Sequence, residues 1–390
     1  MKLHVSKVGW AVLPACVLAA IGLTGQAGMA QTTASQAPAA QAGVSAALRL
    51  HVSGNKLVNA DGHDVVLHGV DYSGAEYECV QNHGFFAGPT DKASVTAMKS
   101  WDINAVRLPL NEACWNGEYY VRSAYAGKNY QNAIKAYVNL LNANGIVVIL
   151  DLHWSDGYDP SDALGCVTSE ALCQKPMPDA AESVPFWSSV AKTFKGDDAV
   201  LFDLFNEPFP DKVMGSGDSA WACWRNGGSA CAGFSYKVAG MQTLVNAVRG
   251  TGAKNVIMLG GLNYANNLSG WLKYEPRDPA HNLAASWHSY NFDSCNNQQC
   301  WTSQVGPVIA KVPVIAGEIG ENDCADHYID PLMAYLDSKS TSYLAWSWNA
   351  YGGCGYAPQL ISSYSGTATA YGAGYKSHLQ ALARKHASQS

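Results

Sequence analysis

The chain has 390 residues and a formal net charge of −6, with 25 basic against 31 acidic side chains. Hydrophobic residues make up 48% of it and charged residues only 14%, which supplies a large core and excludes a disordered polyelectrolyte. Its mild acidity argues against binding to nucleic acid or to an anionic membrane. The 12 tryptophans and 20 tyrosines instead provide flat aromatic surfaces, which favour a neutral, hydroxyl-rich ligand.

The amino-terminal segment has the pattern of a secretory signal peptide. Two lysines precede an apolar run over residues 8–23, and a stretch of small residues ends at Ala30. We therefore expect residues 1–30 to be removed and the protein to be secreted, either extracellular or periplasmic. A lipoprotein signal at Cys16 and an uncleaved anchor are the alternatives, but the apolar run continues past Cys16 and is shorter than the roughly 20 residues of a membrane span.

The cysteine count fits an oxidising compartment. Of the 11 cysteines, Cys16 lies in the signal peptide, and an even number remains for a disulfide framework. There is no CxxC pair and no HExxH motif, so we expect neither a metal site nor a cofactor. Residues 31–46 are small and uncharged and are predicted to form a disordered spacer, followed by one globular domain over residues 47–390.

Short apolar runs alternate with amphipathic segments along this domain, which is typical of a parallel sheet in an α/β protein. The predicted strands are 65–70, 105–108, 147–152, 200–205, 255–259, 284–287, 314–316 and 343–346. The predicted helices between them include 92–100, 130–143, 184–194, 236–249 and 331–338. Eight strand–helix units predict a closed (β/α)8 TIM barrel, because a doubly wound sheet usually has five or six strands. Two alternating runs around Gly54 predict an N-terminal β-hairpin over the barrel floor.

Reactive polar and aromatic side chains follow the predicted strands at their carboxyl ends, where the active site of such a barrel forms. They are Arg107 after strand two, His153 and Trp154 after strand three, Asn206 and Glu207 after strand four, His288 and Tyr290 after strand six, Glu318 after strand seven and Trp348 after strand eight. Each one alone could be structural. Their convergence on one barrel mouth indicates a catalytic site.

Two of these residues, Glu207 and Glu318, belong to strands that face each other across the mouth. A pair of carboxylic acids is what cleavage of a glycosidic bond requires, since one must be protonated and the other ionised. Arg107 and Tyr290 are suitable hydrogen-bond donors to Glu318. The structural alternatives are a helix-start charge at Glu207, before Pro208, and a surface salt bridge at Glu318, but the apolar strands that precede both residues argue against them.

Four motifs together resemble cellulase-type glycoside hydrolase family 5. They are FDLFNEP at 202–208, LDLHW at 150–154, WHSY at 287–290 and VIAGEIGE at 314–321, and the resemblance covers residues 48–386. It implies a retaining enzyme with Glu207 as acid/base, Glu318 as nucleophile and Asn206 as the partner of the sugar 2-hydroxyl. It also implies a supporting shell of Arg107, His153, His288 and Tyr290, with Trp348 as the sugar platform. The loops after strands three, four and six are long and contain cysteines, so the substrate stays open.

Further tryptophans fall in the predicted strand-end loops and are candidates for stacking on sugar rings. The candidates are Trp115, Trp154 and Trp301, with Trp221 and Trp224 in similar positions, and ordinary packing under the loops is the alternative for each. Trp101, Trp187 and Trp287 are assigned to the core.

The barrel order also predicts the disulfides. Local pairs would be Cys166–Cys173, Cys223–Cys231 and Cys295–Cys300, while Cys79–Cys114 and Cys324–Cys354 would join loops that follow neighbouring strands. All five bridges would lie at the catalytic face, where they would reduce the ordering entropy of long loops. The alternative is that some cysteines stay reduced in the core.

The sequence therefore predicts a secreted, monomeric retaining endo-β-1,4-glucanase (cellulase) that acts on a polysaccharide or oligosaccharide. An endo-β-mannanase or an exo-acting β-glycosidase would use the same catalytic residues, because the loops decide the substrate. A non-catalytic carbohydrate-binding barrel is a third reading, but a binder needs neither Glu207 nor Glu318.

Overall fold

The structure is a computed structural model that describes residues 45–155, 174–352, 354 and 357–388. Its strands are β1 (Leu50–Ser53), β2 (Lys56–Asn59), β3 (His68–Asp71), β4 (Ala105–Asn111), β5 (Val147–Trp154), β6 (Val200–Asp203), β7 (Ile257–Gly260), β8 (Leu283–Tyr290), β9 (Val314–Gly320), β10 (Ser342–Ala345), β11 (Ile361–Ser363) and β12 (Thr367–Ala368). The predicted strands all occur. Strands β4, β5, β8 and β9 end at least two residues later than predicted, and the added residues of β5, β8 and β9 include site residues.

Strands β3 to β10 form a closed parallel barrel. Each pairs with the next along the chain, and β10 pairs with β3 to close it, with Tyr343 opposite His68. Their central residues are buried on both faces, which is why they read as continuous apolar runs and not as alternating ones. The α/β TIM barrel prediction is confirmed.

The helices cover the outside of the barrel. They are α1 (Lys92–Lys99), α2 (Glu112–Asn116), α3 (Lys128–Ala143), α4 (Ser183–Phe194), α5 (Pro210–Met214), α6 (Asp218–Asn226), α7 (Met241–Arg249), α8 (Trp271–Tyr274), α9 (Gln298–Cys300), α10 (Gly306–Ile309), α11 (Ile329–Asp337) and α12 (Ala370–Ala387). Helix α7 begins later than predicted because Val238 and Ala239 form β-bridges to Asp179 and Gly227 before the helix starts. Trp101, Trp187 and Trp287 are buried in the core, as predicted.

The antiparallel pair β1 and β2 forms the predicted hairpin. Leu50 and Leu57 belong to one buried cluster with barrel residues such as Ile149 and Met258. The hairpin backbone is also tied to the barrel, since the Leu50 N–H donates to the carbonyl oxygen of Asp198 at 3.0 Å. The hairpin therefore closes the end of the barrel at which the parallel strands begin.

Four of the predicted disulfides are present among the described residues: Cys79–Cys114, Cys223–Cys231, Cys295–Cys300 and Cys324–Cys354. They lie in the segments that follow barrel strands, at the end opposite the hairpin. The fifth predicted pair, Cys166–Cys173, lies outside the described residues. Within the part of the chain that the structure describes, no helix combines the length and the apolar character needed to span a membrane.

Candidate active site

Two carboxylates face each other at the carboxyl ends of the barrel strands. Glu318 lies within β9, and Glu207 lies just beyond the end of β6. One side-chain ligand atom each of Glu207, His288 and Glu318 falls within 4.8 Å of the other two. The side chain of Glu318 is 5% exposed and that of Glu207 is 27% exposed, so one carboxylate is enclosed and the other can be reached from solvent.

Glu318 is held by two strong donors. Arg107 Nη1 donates to its Oε1 at 2.8 Å, and the hydroxyl of Tyr290 donates to its Oε2 at 2.5 Å. Burial alone would raise the pKa of Glu318, but the positive charges of His288, Arg107 and His153 and the hydrogen bond from Tyr290 lower it to about 2. Glu318 is therefore a carboxylate at neutral pH. Burial, followed by the charge of Glu318, raises the pKa of Tyr290 well above its usual range, so the phenol stays a donor.

Arg107 is surrounded by three aspartates that the sequence analysis did not single out. It contacts Asp71 at 3.0 Å, Asp151 at 3.0 Å and Asp203 at 3.1 Å. These aspartates lie on β3, β5 and β6 at inward positions, and all are fully buried. The sequence pattern that could have indicated them is an aspartate within an otherwise apolar strand. We call Arg107 with these aspartates the buried charge cluster.

Burial is the main cause of the perturbed acidities in the buried charge cluster. It raises the pKa of Asp203 to about 6, with Arg107 opposing the rise, and it raises the pKa of Asp71 well above its usual range. One oxygen of each aspartate has no hydrogen-bond partner within the described residues. Aspartates from three strands therefore fix the position and orientation of the Arg107 guanidinium.

His288 lies between the two carboxylates. Its Nδ1 is 3.0 Å from Oε1 of Glu207 and 3.7 Å from Oε2 of Glu318. Burial disfavours the imidazolium, but the charge of Glu318 and the hydrogen bond to Glu207 raise the pKa of His288 above its ordinary value. His288 can therefore share a proton with Glu207 while its positive form favours an ionised Glu318.

The other predicted members of the shell also converge here. Asn206 accepts from Arg107 Nη2 through its Oδ1 at 2.8 Å, which fixes the opposite end of its amide as the donor. His153 lies 2.7 Å from Asp151 through its Nδ1 and stacks on the ring of Trp346, with ring centroids 5.4 Å apart and planes at 16°. The predicted donors and polar side chains are thus brought together around one cleft.

Trp348 does not lie in this cleft, and its prediction as the sugar platform is wrong. It is 0% exposed and packs edge-on against Trp101 at 4.9 Å. The other tryptophan of this segment, Trp346, is partly exposed and stacks on His153. Both tryptophans follow β10, where the chain has left the regular strand, so the AWSWN pattern could not decide which ring faces the cleft.

Trp115 and Trp301 are also unavailable to a sugar. Trp115 is buried against Tyr130 and Phe186, and Trp301 is buried against Tyr335. Trp221 and Trp224 are likewise buried and pack on each other. Packing under the loops, the alternative reading, holds for these four rings.

Other aromatic rings remain accessible at the barrel mouth. Trp154 is partly exposed and lies 5.9 Å from the ring of Tyr77. Phe292, which the sequence analysis missed, is 62% exposed and stacks on Tyr290 at 5.0 Å. Tyr264 stacks on Phe209, close to Glu207 in sequence, at 4.6 Å. Trp154 was a predicted candidate, whereas Phe292 and Tyr264 lie outside the strands and helices, where no periodicity distinguished them.

Among the described residues, two groups have side-chain atoms close enough to hold a metal ion. One is the set of Glu207, His288 and Glu318, whose contacts are those of the carboxylate pair described above. The other is Glu321, Asp323 and His327, of which Asp323 and His327 are exposed. Glu321 already accepts backbone N–H groups of Tyr328 and Ile329 at 2.7 and 2.9 Å, as a cap of α11.

Comparison with known proteins identifies the family of the chain. The family model "Cellulase (glycosyl hydrolase family 5)" matches residues 58–352. The chain is 23% identical over 368 residues to a mannan endo-1,4-β-mannosidase from Streptomyces lividans, covering 86% of this chain and 81% of that protein. It is 27% identical over 177 residues to endoglucanase A from Butyrivibrio fibrisolvens, covering 44% of this chain and 33% of that protein.

Solved structures agree on the fold. A β-glucanase from Saccharophagus degradans, in complex with cellotetraose, superposes with a TM-score of 0.64 at 20% identity, covering 89% of this chain and 98% of that chain. The barrel, the carboxylate pair and the extent of the family match lead to one conclusion: the chain belongs to glycosyl hydrolase family 5 and is an O-glycosyl hydrolase.

Proposed function

We propose that the protein is a retaining endo-β-1,4-glucanase in which Glu318 is the nucleophile and Glu207 the acid/base. The observation that carries the proposal is the pair of carboxylates within 4.8 Å of each other through their nearest ligand atoms, with His288 between them. Retaining enzymes hold their carboxyl groups about 5 to 5.5 Å apart, whereas inverting enzymes need about 6.5 to 9.5 Å to admit a water. The short separation therefore supports the double-displacement route.

In the first step, an oxygen of Glu318 attacks the anomeric carbon while Glu207 gives its proton to the departing glycosidic oxygen. The C–O bond to the leaving sugar breaks and a glycosyl ester of Glu318 forms. In the second step, Glu207, now a carboxylate, removes a proton from water, and the water oxygen displaces Glu318. Glu207 is then protonated again and Glu318 is again a carboxylate.

The surroundings of the two residues suit these roles. The donors Arg107 and Tyr290 hold Glu318 ionised and oriented before substrate arrives, which is the preorganisation that nucleophilic attack needs. Glu207 is more exposed and has His288 at 3.0 Å, so it can both take and release a proton. Trp346 and His153 provide a stacked surface beside the pair for a sugar ring, a role assigned here in place of Trp348.

The choice of glucan rests on the fold relative that was solved with cellotetraose. Mannan is a second candidate, because the mannan endo-1,4-β-mannosidase covers far more of this chain than endoglucanase A does. Activity on soluble glucan, mannan, xylan and nitrophenyl glycosides separates the two candidates and an exo-acting enzyme. Release of reducing sugar from mannan alone would overturn the glucanase proposal.

Stereochemistry tests the mechanism directly. Proton NMR of the first product formed should show the anomer with the configuration of the substrate, which then mutarotates. Initial appearance of the opposite anomer would contradict the assignment of Glu318 as a nucleophile.

We also propose that residues 1–30 are a signal peptide and that the secreted protein is a monomer. The disulfides among the described residues fit an oxidising compartment. Mass spectrometry of the secreted chain should show cleavage after Ala30, and size-exclusion chromatography with light scattering should give a single-chain mass.

A further inference from the structure

Glu207 lies where the backbone hydrogen bonds between neighbouring barrel strands end. Asn206, the residue before it, still donates its N–H to the Leu152 carbonyl oxygen on β5 at 3.0 Å. Pro208, the residue after it, has no N–H to donate. The peptide groups of Glu207 itself must therefore be held from outside the sheet.

The side-chain amide of Gln174 holds both of them. Its Oε1 accepts the N–H of Glu207 at 2.9 Å, and its Nε2 donates to the carbonyl oxygen of Glu207 at 2.5 Å. One planar group thus fixes the peptides on both sides of the Glu207 Cα, and with them the direction in which the Glu207 side chain leaves the backbone.

Gln174 is presented from a segment that is itself anchored. The next residue, Lys175, donates its N–H to Ser155 Oγ at 3.2 Å, just after β5. Pro176 accepts the N–H of Phe209 through its carbonyl oxygen at 2.9 Å. The segment that carries Gln174 therefore runs alongside the segment that carries Glu207, and the two are joined on both sides of Pro208.

We propose that Gln174 is a positioning residue for the acid/base Glu207, an inference that rests on the function proposed above. Proton transfer to a leaving group needs donor and acceptor within hydrogen-bond reach, and a displacement of about 1 Å can lower a rate by about 100-fold. The position of Glu318 depends on Arg107 and Tyr290 and not on Gln174. Loss of the Gln174 amide should therefore weaken proton donation and leave nucleophilic attack intact.

The test compares kcat/KM of Gln174→Met on two aryl glycosides, one with a phenyl and one with a 2,4-dinitrophenyl leaving group, on the sugar that the wild type accepts. Methionine keeps the length of the side chain and removes both hydrogen bonds. We expect a fall of about 10- to 100-fold with phenyl, which needs a proton, and of less than about threefold with dinitrophenyl, which does not.

Gln242→Met is the matched control. Gln242 makes the same double contact with a backbone elsewhere, since its Nε2 donates to the Arg277 carbonyl oxygen at 2.9 Å and its Oε1 accepts the Arg277 N–H at 2.7 Å. Its loss should leave both substrates unaffected. An equal loss on both substrates in Gln174→Met, with Gln242→Met unaffected, would overturn the positioning role.

Glu207→Ala, measured in parallel, separates this inference from the proposed function. If Glu207→Ala shows no difference between the two leaving groups, the acid/base assignment itself fails. If it shows the difference and Gln174→Met does not, only the role of Gln174 fails. Should Gln174→Met not fold, by thermal unfolding, Gln174→Asn gives the same decision, because its shorter amide cannot span both peptide groups.

Discussion

Glu318 and Glu207 face each other across the barrel mouth, yet different parts of the molecule hold them. Glu318 lies inside β9, and its donors Arg107 and Tyr290 lie inside β4 and β8. Glu207 lies beyond β6, and its backbone is held by the side chain of Gln174. Residues of the barrel strands thus hold Glu318 in place, whereas a residue outside the strands holds Glu207.

The difference fits the roles that we propose for the two carboxyl groups. A nucleophile must be ionised and correctly oriented before it attacks, and the enclosed site of Glu318, with a pKa of about 2, provides for both. An acid/base must exchange a proton twice in each turnover, and so it needs solvent and a neighbour that can carry a proton. Glu207 has 27% exposure and contact with His288.

Removing the charge of Glu318 should have the largest effect. Glu318→Gln keeps the shape and loses the nucleophile, so we expect kcat to fall by about 10⁴-fold or more on every substrate, whatever its leaving group. Steady-state kinetics on the substrate panel measures the loss, and circular dichroism should show an intact fold. Substantial residual turnover on any substrate would break the assignment.

Glu207→Ala should separate substrates that Glu318→Gln treats alike. Natural polysaccharide should lose about 10² to 10⁴ in kcat/KM, because its leaving sugar requires a proton, whereas a dinitrophenyl glycoside should lose far less. Added azide can attack the glycosyl ester without a base, so it should restore turnover of the activated substrate and yield a glycosyl azide. Equal losses without rescue would mean that Glu207 has another role.

Substitution of the two tryptophans after β10 should affect different properties of the protein. Trp348→Ala removes a ring packed on Trp101, and we expect a loss of about 3 to 5 kcal/mol in the free energy of unfolding with KM little changed. Trp346→Ala should raise KM roughly tenfold, equivalent to about 1.4 kcal/mol, with a smaller effect on stability. Denaturant unfolding and steady-state kinetics on both variants decide it, and the reverse pattern would restore Trp348 as the platform.

The buried charge cluster should give the smallest and most specific effect, a dependence of stability on pH. Burial raises the pKa of Asp203 to about 6 in the folded protein, above its value in the unfolded chain. The stability that its protonated form contributes is therefore complete below about pH 4 and is lost as pH rises through about 6. Asp203→Asn cannot titrate, so its stability relative to the wild type should improve between pH 4.5 and 7.

Urea unfolding of both proteins at these two pH values measures that change. Asp278→Asn is a useful contrast outside the cluster. Burial alone would raise the pKa of Asp278, but the hydrogen bonds from Arg249 and from the backbone hold it below its ordinary value. Arg249 keeps its charge throughout this range, and the stability contributed by Asp278 is lost only as pH falls below the pKa of an unfolded aspartate, so the difference between Asp278→Asn and wild type should stay nearly constant from pH 4.5 to 7.

Much of this architecture is visible in the sequence, and the exceptions have a physical pattern. Strands of a barrel are buried on both faces, so their apolar runs and the polar residues that follow them are distinct, and Glu207, Glu318 and Arg107 were found in this way. The four described disulfides followed from strand order. The prediction of Trp348 as the sugar platform is wrong because side-chain orientation past a strand end depends on tertiary contacts.

Gln174 is a second case in which a tertiary contact could not be predicted from the local sequence. It lies 33 residues from Glu207, and nothing in its local sequence indicates a partner. The aspartates of the buried charge cluster were missed for a different reason. Asp151 stands within the LDLHW motif two residues before His153, and the motif alone does not indicate that both side chains belong to the site.

The hairpin of β1 and β2 has a consequence for how the chain assembles. Its anchors come from far along the sequence: Val52 donates its N–H to Asn282 Oδ1 at 2.6 Å, and Asn55 Nδ2 donates to the Ile309 carbonyl oxygen at 2.9 Å. The pairing of β3 with β10, which closes the barrel, also joins residues that are far apart in the sequence, with Leu344 opposite Gly69. Contacts of such large sequence separation form slowly, because a long loop must close before they contribute.

The first strands to leave the ribosome thus have no complete set of neighbours until nearly the whole chain exists. During synthesis, Leu50 and Leu57 stay without the barrel residues that later cover them. In a partly formed barrel, the β1–β2 hairpin therefore contributes little stability. The edge of β3 stays unpaired until β10 has been synthesised.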